Sequence, residues 1–274
     1  MARRYSRMLK ARVFTALLLL IGLLAALFVL PADGTKIVFA MIAVLAAWEW
    51  AGLMKIDPAG RFFYCILILI SCWVVYVPAV TVFPRIWGMA AVFWLLIAPF
   101  WLFRHWSIRG NDFLGYGMGW LLIVPTWAAM AYLHQRSPWL LLAAMALVWV
   151  ADSAAYFAGR ALGRHKLAPT ISPGKTWEGA GGALLGVVAY GGIVWGASND
   201  SAAVLPIWPW GPLLLVLLTA ISIVGDLFES LIKRQAEVKD SGQLLPGHGG
   251  ILDRIDSLTS TLPVVALIVW WLAK

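Results

Sequence analysis

The chain of 274 residues is 62% hydrophobic and only 12% charged, and its mean hydropathy is +0.85. Because a soluble domain of this length cannot bury so much apolar surface, the composition excludes soluble enzymes and soluble binding modules. The net charge of +8 indicates basic cytoplasmic loops and attraction to anionic membrane lipid, and we expect no nucleic acid as a partner.

Nine apolar stretches follow one another along the chain, each long enough for a helix that crosses a bilayer. The first follows five cations in residues 1–12 and is longer than the core of a signal peptide, so we expect it to remain as a spanning helix. The stretches are residues 13–30, 36–54, 62–81, 86–103, 113–132, 138–157, 179–197, 207–232 and 258–273. They predict an all-α polytopic membrane protein with a single membrane domain, residues 1–274.

Lysine and arginine are divided unequally between the two sides that nine spans define. Seventeen of the 21 lie on the side of the N-terminus, and the other four are Lys36, Arg85, Arg136 and Lys274. Because basic loops stay in the cytoplasm, this asymmetry predicts a multi-pass protein of the cell (inner) membrane with a cytoplasmic N-terminus and an external C-terminus.

The second and sixth apolar stretches each hold one carboxylate near the cytoplasmic end. Glu49, in the second stretch, fits a functional group, but a snorkelling side chain or a carboxylate paired with a neighbouring helix fits as well. Asp152, in the sixth, fits a hydrogen bond to a neighbouring helix or a contact with substrate or metal.

A basic loop, residues 158–177, connects the sixth and seventh stretches. It contains Ser172, Lys175 and Thr176, and Glu178 opens the next stretch. Serine, glycine, lysine and threonine in a basic loop are typical of a phosphate cradle, although the spacing is not that of a P-loop. Alone, the loop indicates only topology, so its function depends on a second charged segment.

That second segment spans residues 226–256, where the chain holds six carboxylates, four cations and one histidine. Helical spacing places Asp226, Ser230 and Lys233 on one face, and the turn sequences Asp-Ser-Gly and Pro-Gly-His-Gly-Gly within residues 240–250 then end the helix. Carboxylates on both sides of a glycine-rich turn predict a divalent cation held by oxygen ligands, and the interleaved cations predict phosphate.

Both charged segments resemble the phosphatidate cytidylyltransferases, also called CDP-diacylglycerol synthases. The upstream motif reads Asp152-Ser153-x-Ala155-Tyr156-Phe157-x-Gly159-Arg160, then Ile171-Ser172-Pro173-x-Lys175-Thr176-x-Glu178-Gly179. The downstream motif reads Ser230-x-x-Lys233-Arg234, then Lys239-Asp240-x-Gly242, then Pro246-x-His248-Gly249-Gly250-x-x-Asp253-Arg254-x-Asp256. Residues 138–274 carry both motifs, and the first half of the chain is similar to the family only in being hydrophobic.

The resemblance implies an enzyme that transfers the CMP group of CTP to phosphatidic acid, giving CDP-diacylglycerol and pyrophosphate in phospholipid biosynthesis. It implies Mg²⁺ on Asp226, Asp253 and Asp256, and it allows a second cation such as K⁺. The catalytic residues are then Lys233, Arg234, Asp240, His248 and Arg254. The residues that bind substrate are Asp152, Ser172, Lys175, Glu178, Ser230 and Lys239.

Structural alternatives remain open for two of these residues. Lys233 fits an i, i+4 ion pair with Glu229 as well as a phosphate contact. His248 fits bracing of the glycine-rich turn as well as contact with phosphate.

For Asp226 and Asp253 we expect no structural partner in so apolar a chain. The alternative is an ion pair with Arg234 or Arg254 that serves stability. The two hypotheses differ in whether removing the carboxylate weakens the metal or the fold.

Two other functions stay open from sequence alone. Another membrane enzyme that uses CTP, such as a polyprenol kinase, would move the γ-phosphoryl group. A secondary transporter would place ion-binding acids at a broken helix, but here the polar residues concentrate at one face and in one half of the chain. The sequence also leaves open whether the protein is a monomer or a homodimer.

Overall fold

The computed structural model describes residues 2–77, 79–108, 110–197, 210–245 and 247–274, with side chains described from residue 13 onward except at 79, 80 and 197. The helices are α1 (Ala2–Phe28), α2 (Ala32–Leu53), α3 (Pro58–Tyr76), α4 (Ala79–Val92), a π-helical turn (Phe93–Ile97), α5 (Ala98–Arg104), α6 (Asp112–Arg136), α7 (Pro138–Leu162), α8 (Trp177–Ala197), α9 (Gly211–Ala236) and α10 (Leu252–Leu272). Two short strands, β1 (Lys166–Ala168) and β2 (Ser172–Thr176), lie between α7 and α8. Residues 207–209 of the predicted eighth stretch, and Pro246 of the downstream motif, lie outside the described residues.

Within the described chain, eight helices are long and apolar enough to cross a membrane. The π-helical turn joins α4 and α5 into one of these spans, Thr81–Arg104. The apolar part of α1, Val13–Phe28, is shorter than the other spans. The prediction of an all-α polytopic membrane protein is confirmed, and eight of its nine predicted spans are found among the described residues. The first predicted span, residues 13–30, and the orientation of the termini stay predictions.

α6 is the most buried of the spans and packs against α2, α3, α4, α7 and α10. Indole N–H groups attach two neighbours to its backbone: Trp50 of α2 donates to the Gly115 carbonyl at 2.8 Å, and Trp87 of α4 donates to the Pro125 carbonyl at 3.2 Å. Such an acceptor stabilises a buried indole N–H, because no water is available in the apolar interior. α6 therefore anchors the first half of the bundle against the second.

Small residues bring α7 and α8 into close contact. A Cβ placed on Gly182 would lie 3.1 Å from the carbonyl oxygen of Ala154 and would collide with the Ala158 methyl group. Close backbone approach through small side chains is the usual basis of helix packing inside membranes. The pair holds Asp152 of α7 at a defined place beside the rest of the bundle.

The basic loop predicted between these helices contains an antiparallel hairpin. β1 pairs with β2 through Lys166 opposite Thr176 and Ala168 opposite Ser172, with an irregularity between the two pairs. The sequence predicts only a loop in this segment, since Pro173 and Gly174 are poor strand residues and give no alternating pattern. The hairpin is short, so the fold class is unchanged.

Several connections meet at the same end of the bundle. The Ile108 N–H donates to Gln235 Oε1 at 3.1 Å, and Gln235 Nε2 donates to the Trp106 carbonyl at 2.7 Å, so the α5–α6 connection lies against the end of α9. The His105 ring lies 3.1 Å from the Thr170 hydroxyl of the hairpin, which brings that connection to the same place. The two motifs are thereby brought together although about fifty residues lie between the end of the first and the start of the second.

Candidate active site

The charged face of α9 forms as its spacing predicts. Ser230 Oγ lies one turn from Asp226 and donates to its Oδ1 at 3.4 Å. Lys233 Nζ lies 3.4 Å from Glu229 Oε1 on the same helix and 2.7 Å from Asp253 Oδ1 on α10. The Lys233 side chain is only 12% exposed, so its ammonium group joins two helices in a partly buried ion-pair network.

Asp253 is fully engaged by the protein. Its Oδ1 accepts from Lys233, and its Oδ2 accepts from the Ser241 N–H at 2.9 Å, the Ser241 hydroxyl at 3.0 Å and the Gly250 N–H at 2.8 Å. The expectation that Asp253 has no structural partner is therefore wrong. The alternative prediction, an ion pair with Arg234 or Arg254, is also wrong for Asp253, because its counter-ion is Lys233. Pairing across helices depends on their packing, which the sequence does not contain.

Asp226 also has a partner, and that partner comes from the upstream motif. Lys175 Nζ of β2 lies 2.5 Å from Asp226 Oδ2, and the two side chains are 23% and 30% exposed. This ion pair joins the hairpin to α9 and so places the upstream motif beside the charged segment 226–256, which contains the downstream motif. Because both side chains remain partly accessible, the pair can exchange its members for a bound anion and cation.

The glycine-rich turn is shaped around Asp253. Gly249 has a φ of +80°, and a Cβ at this position would lie 2.6 Å from Asp253 Oδ2. Glycine adopts this conformation without strain and leaves room for the carboxylate. His248 donates its backbone N–H to the Leu245 carbonyl at 2.9 Å, and its ring Nδ1 is buried without a hydrogen-bond partner. Both hypotheses for His248, bracing the turn and contacting phosphate, remain open.

Glu49 reaches this turn from α2, in the first half of the chain. Its Oε1 accepts from the Ile251 N–H at 3.0 Å, and its Oε2 accepts from the Leu252 N–H at 2.8 Å and the Ser241 hydroxyl at 3.0 Å. Of the alternatives considered for Glu49, the carboxylate paired with a neighbouring helix is the one found. The sequence signal was a single carboxylate in an apolar stretch, which does not identify the partner.

The remaining predicted site residues surround this network. Glu178 accepts from His165 Nδ1 at 2.6 Å and from the His165 N–H at 3.2 Å, so it holds the start of the hairpin rather than an open binding position. Arg234 is exposed and donates from Nε to the Ile171 carbonyl at 3.3 Å, and Ser172 is half-buried in β2. The exposed members of the predicted set are Asp152, Arg234, Lys239, Asp240 and Arg254.

The acids outnumber the cations within this site. A connected set of electrostatic contacts links the carboxylates of Asp152, Asp226, Glu229, Asp253 and Asp256 to the cations of Lys175, Lys233 and Arg254. Glu229 is 3% exposed, and its counter-ion is Lys233, whose Nζ lies 3.4 Å from Glu229 Oε1.

The carboxylates of this site suit Mg²⁺ that is also bound by water and phosphate better than an ion enclosed by protein ligands alone. Among the described residues, no three or more histidine, cysteine or acidic side chains are grouped closely enough to enclose an ion. Mg²⁺ usually keeps several waters and takes one or two carboxylates together with substrate phosphates. Asp226, with an accessible side chain, and Asp256, which is half-buried, meet that requirement.

The fold and this site define a multi-pass membrane protein with a charged centre at one end of its helix bundle. Residues 10–272 match the sequence model of the cytidylyltransferase family. The phosphatidate cytidylyltransferase of Pseudomonas aeruginosa is 39% identical over 271 residues, which are 96% of this chain and 97% of that protein. The protein of the same name from Haemophilus influenzae is 36% identical over 93% of this chain and 96% of its own length, and that of Bacillus subtilis is 33% identical over 93% and 95%. The chain belongs to the cytidylyltransferase family.

Proposed function

We propose that the protein is a phosphatidate cytidylyltransferase, which transfers the CMP group of CTP to phosphatidic acid and releases pyrophosphate. Similarity to proteins of that name over almost the whole chain supports this function. The observation that carries it is the 2.5 Å ion pair between Lys175 and Asp226, because it joins the upstream motif to the charged segment 226–256 in one site.

The reaction requires charge neutralisation more than proton transfer. The attacking group is a phosphate oxygen of the lipid, which is ionised near neutral pH, so no general base is needed. Two anionic substrates must instead meet in line at the α-phosphorus while pyrophosphate leaves. Arg234, Lys239 and Arg254 are exposed at the site and Lys175 is partly exposed, so these cations are available to bind phosphate oxygens.

We propose that Mg²⁺ is the cofactor and that Asp226 and Asp256 hold it. When bound, the ion neutralises phosphate oxygens and stabilises the charge that develops on the leaving pyrophosphate. Asp253 contributes to the same ion only if Lys233 exchanges its carboxylate for a phosphate, since both oxygens of Asp253 are engaged. A second cation such as K⁺ is compatible with the same acids.

The site is proposed to face the cytoplasm, where CTP is available. The connections that meet at its end of the bundle belong to the side that holds most lysines and arginines. The lipid then keeps its acyl chains in the bilayer of the cell (inner) membrane while its phosphate reaches the ends of α7, α9 and α10.

Cysteine labelling tests this orientation. Gly174→Cys in the hairpin and Gln243→Cys after α9, both at exposed positions, should react only with reagents that reach the cytoplasm. Asp33→Cys, in the first turn of α2 at the opposite end, should react from outside. The native Cys65 and Cys72 are buried, so background labelling should be low. Labelling of position 174 or 243 from outside would overturn the orientation.

The activity is tested with purified protein, CTP, phosphatidic acid and Mg²⁺. We expect CDP-diacylglycerol and pyrophosphate as products. A polyprenol kinase would instead release CDP and would phosphorylate an added polyprenol. Release of CDP without pyrophosphate would replace the proposed function by that alternative.

A further inference from the structure

Glu49 belongs to neither motif, yet it contacts the segment that connects α9 to α10. The residue is 3% exposed, and its carboxylate accepts three hydrogen bonds of 2.8–3.0 Å from Ser241, Ile251 and Leu252. Charge-assisted hydrogen bonds of this length are stronger than neutral ones. The catalytic chemistry described above makes no use of Glu49, so the reason for burying this charge lies elsewhere.

Two of the three donors are backbone groups at the start of α10. A helix leaves its first N–H groups without partners inside the helix, and its N-terminus favours negative charge. Ile251, at the N-cap position, supplies no side-chain cap. Glu49 performs that function from another helix, so the direction in which α10 begins is fixed by α2.

The connecting segment is also shaped to admit the Glu49 side chain. A Cβ on Gly242 or on Gly250 would collide with the Glu49 carboxyl group. These two glycines lie on either side of the Leu245–Gly249 bridge, so the turn encloses the carboxylate from two directions. The segment can adopt this path around Glu49 only while both positions lack side chains.

Ser241 links Glu49 to the charged site. Its hydroxyl oxygen lies 3.0 Å from Glu49 Oε2 and 3.0 Å from Asp253 Oδ2, and Asp253 in turn pairs with Lys233 at 2.7 Å. A hydroxyl has one proton, so it donates to one of the two carboxylates at a time while remaining in contact with both. A continuous set of polar contacts thus runs from α2 to the ion pair between α9 and α10.

We propose that Glu49 is a positioning residue for CMP transfer. Acting through Ser241 and the first N–H groups of α10, it holds Asp253 against Lys233 and presents Asp256, one turn later, to the site. The inference rests on the proposed function, since its main readout is the rate of that reaction. It assigns the first half of the chain a defined part in the site.

The test compares Glu49→Gln with Asp57→Asn. Glutamine keeps the size of the side chain, but its NH₂ group must face an N–H or O–H donor. We therefore expect kcat per folded enzyme to fall by at least about tenfold, the effect of losing a charge-assisted hydrogen bond. Asp57 is the matched control, because it caps α3 at the same end of the bundle through the N–H groups of Ala59 and Gly60 and touches neither motif. Asp57→Asn should leave kcat within about twofold of the wild type.

Hydrogen exchange gives a second readout that does not depend on activity. The amides of residues 250–252 should exchange faster than in the wild type in Glu49→Gln and at the wild-type rate in Asp57→Asn. Both rates are measured in detergent by mass spectrometry. If Glu49→Gln is not recovered folded, Ser241→Ala provides the test, because it removes the hydroxyl that lies between Glu49 and Asp253 and preserves the bonds from Glu49 to α10. We expect kcat of Ser241→Ala to fall several-fold. Where Glu49→Gln is recovered folded, the double variant should be no slower than Glu49→Gln alone.

Three outcomes would overturn the inference. They are an unchanged kcat in Glu49→Gln, a loss of activity that equals the loss of folded protein, and, in the fallback test, an unchanged kcat in Ser241→Ala. A wild-type protein that makes no CDP-diacylglycerol would instead refute the proposed function, so the two failures are distinguishable. In that case the exchange measurement still tests whether Glu49 holds the start of α10.

Discussion

Replacing Asp226 by asparagine should reduce CMP transfer by at least about 100-fold, the scale observed when a group that stabilises transition-state charge is removed. Asparagine preserves the shape of the side chain but removes the charge that we assign to Mg²⁺. The fold should change little, because the pair with Lys175 is partly exposed and such pairs contribute about 0.2–1 kcal/mol. The measurements are the Mg²⁺ dependence of pyrophosphate release and the melting temperature in detergent.

Asp33→Asn is the matched control for this experiment. Asp33 pairs with Lys36 at 2.9 Å at the opposite end of the bundle, so its loss also breaks a lysine–aspartate pair but leaves the site intact. Turnover and Mg²⁺ dependence of this control should match those of the wild type. If Asp226→Asn kept the Mg²⁺ dependence of the wild type, Asp226 would not be a ligand.

Replacing Lys233 by methionine should lower the free energy of unfolding by about 3–5 kcal/mol, since removing one member of a buried ion pair leaves the other charges uncompensated. The charges left behind are those of Glu229 and Asp253, whose side chains are only 4% and 5% exposed. We expect the melting temperature in detergent to fall by at least about 5 °C. Turnover per folded protein should fall as well if Lys233 also meets phosphate during the reaction.

Two further variants separate these roles of Lys233. Lys239→Met removes an exposed lysine six residues further along the chain and should leave the melting temperature unchanged. The double variant Lys233→Met/Asp253→Asn should melt at a higher temperature than Lys233→Met alone. It also removes the Asp253 charge, which Lys233→Met leaves without a counter-ion. An unchanged melting temperature in Lys233→Met would show that the ion pairs do not stabilise the fold.

The eight spans were predictable from sequence to within about six residues at each end, because a span must be apolar over its whole length. The sixth stretch shows where this signal ends. Its apolar run stops at residue 157, but α7 continues to Leu162 because the backbone can extend a helix beyond the bilayer without apolar side chains. The hairpin was not predictable, since its strands contain Pro173 and Gly174 and are defined by their pairing alone.

Within the site, local spacing predicted the charged face of α9, and the resemblance predicted which segments belong together. The partners of the acids were not predictable. Asp253 pairs with Lys233 of α9, Asp226 pairs with Lys175 of the hairpin, and both pairings result from how the segments pack. The part played by Glu49 was hidden for the same reason, because its three donors lie about 200 residues further along the chain.

The ion pair between Lys175 and Asp226 couples the binding of nucleotide to the binding of metal. A nucleotide that binds Lys175 without metal leaves Asp226 without its counter-ion, and a metal that binds Asp226 without nucleotide leaves Lys175 unpaired. Each ligand alone therefore breaks the pair, whereas the two together replace both of its members. We expect CTP and Mg²⁺ to bind with positive cooperativity, so that either one raises the affinity of the other by the same factor.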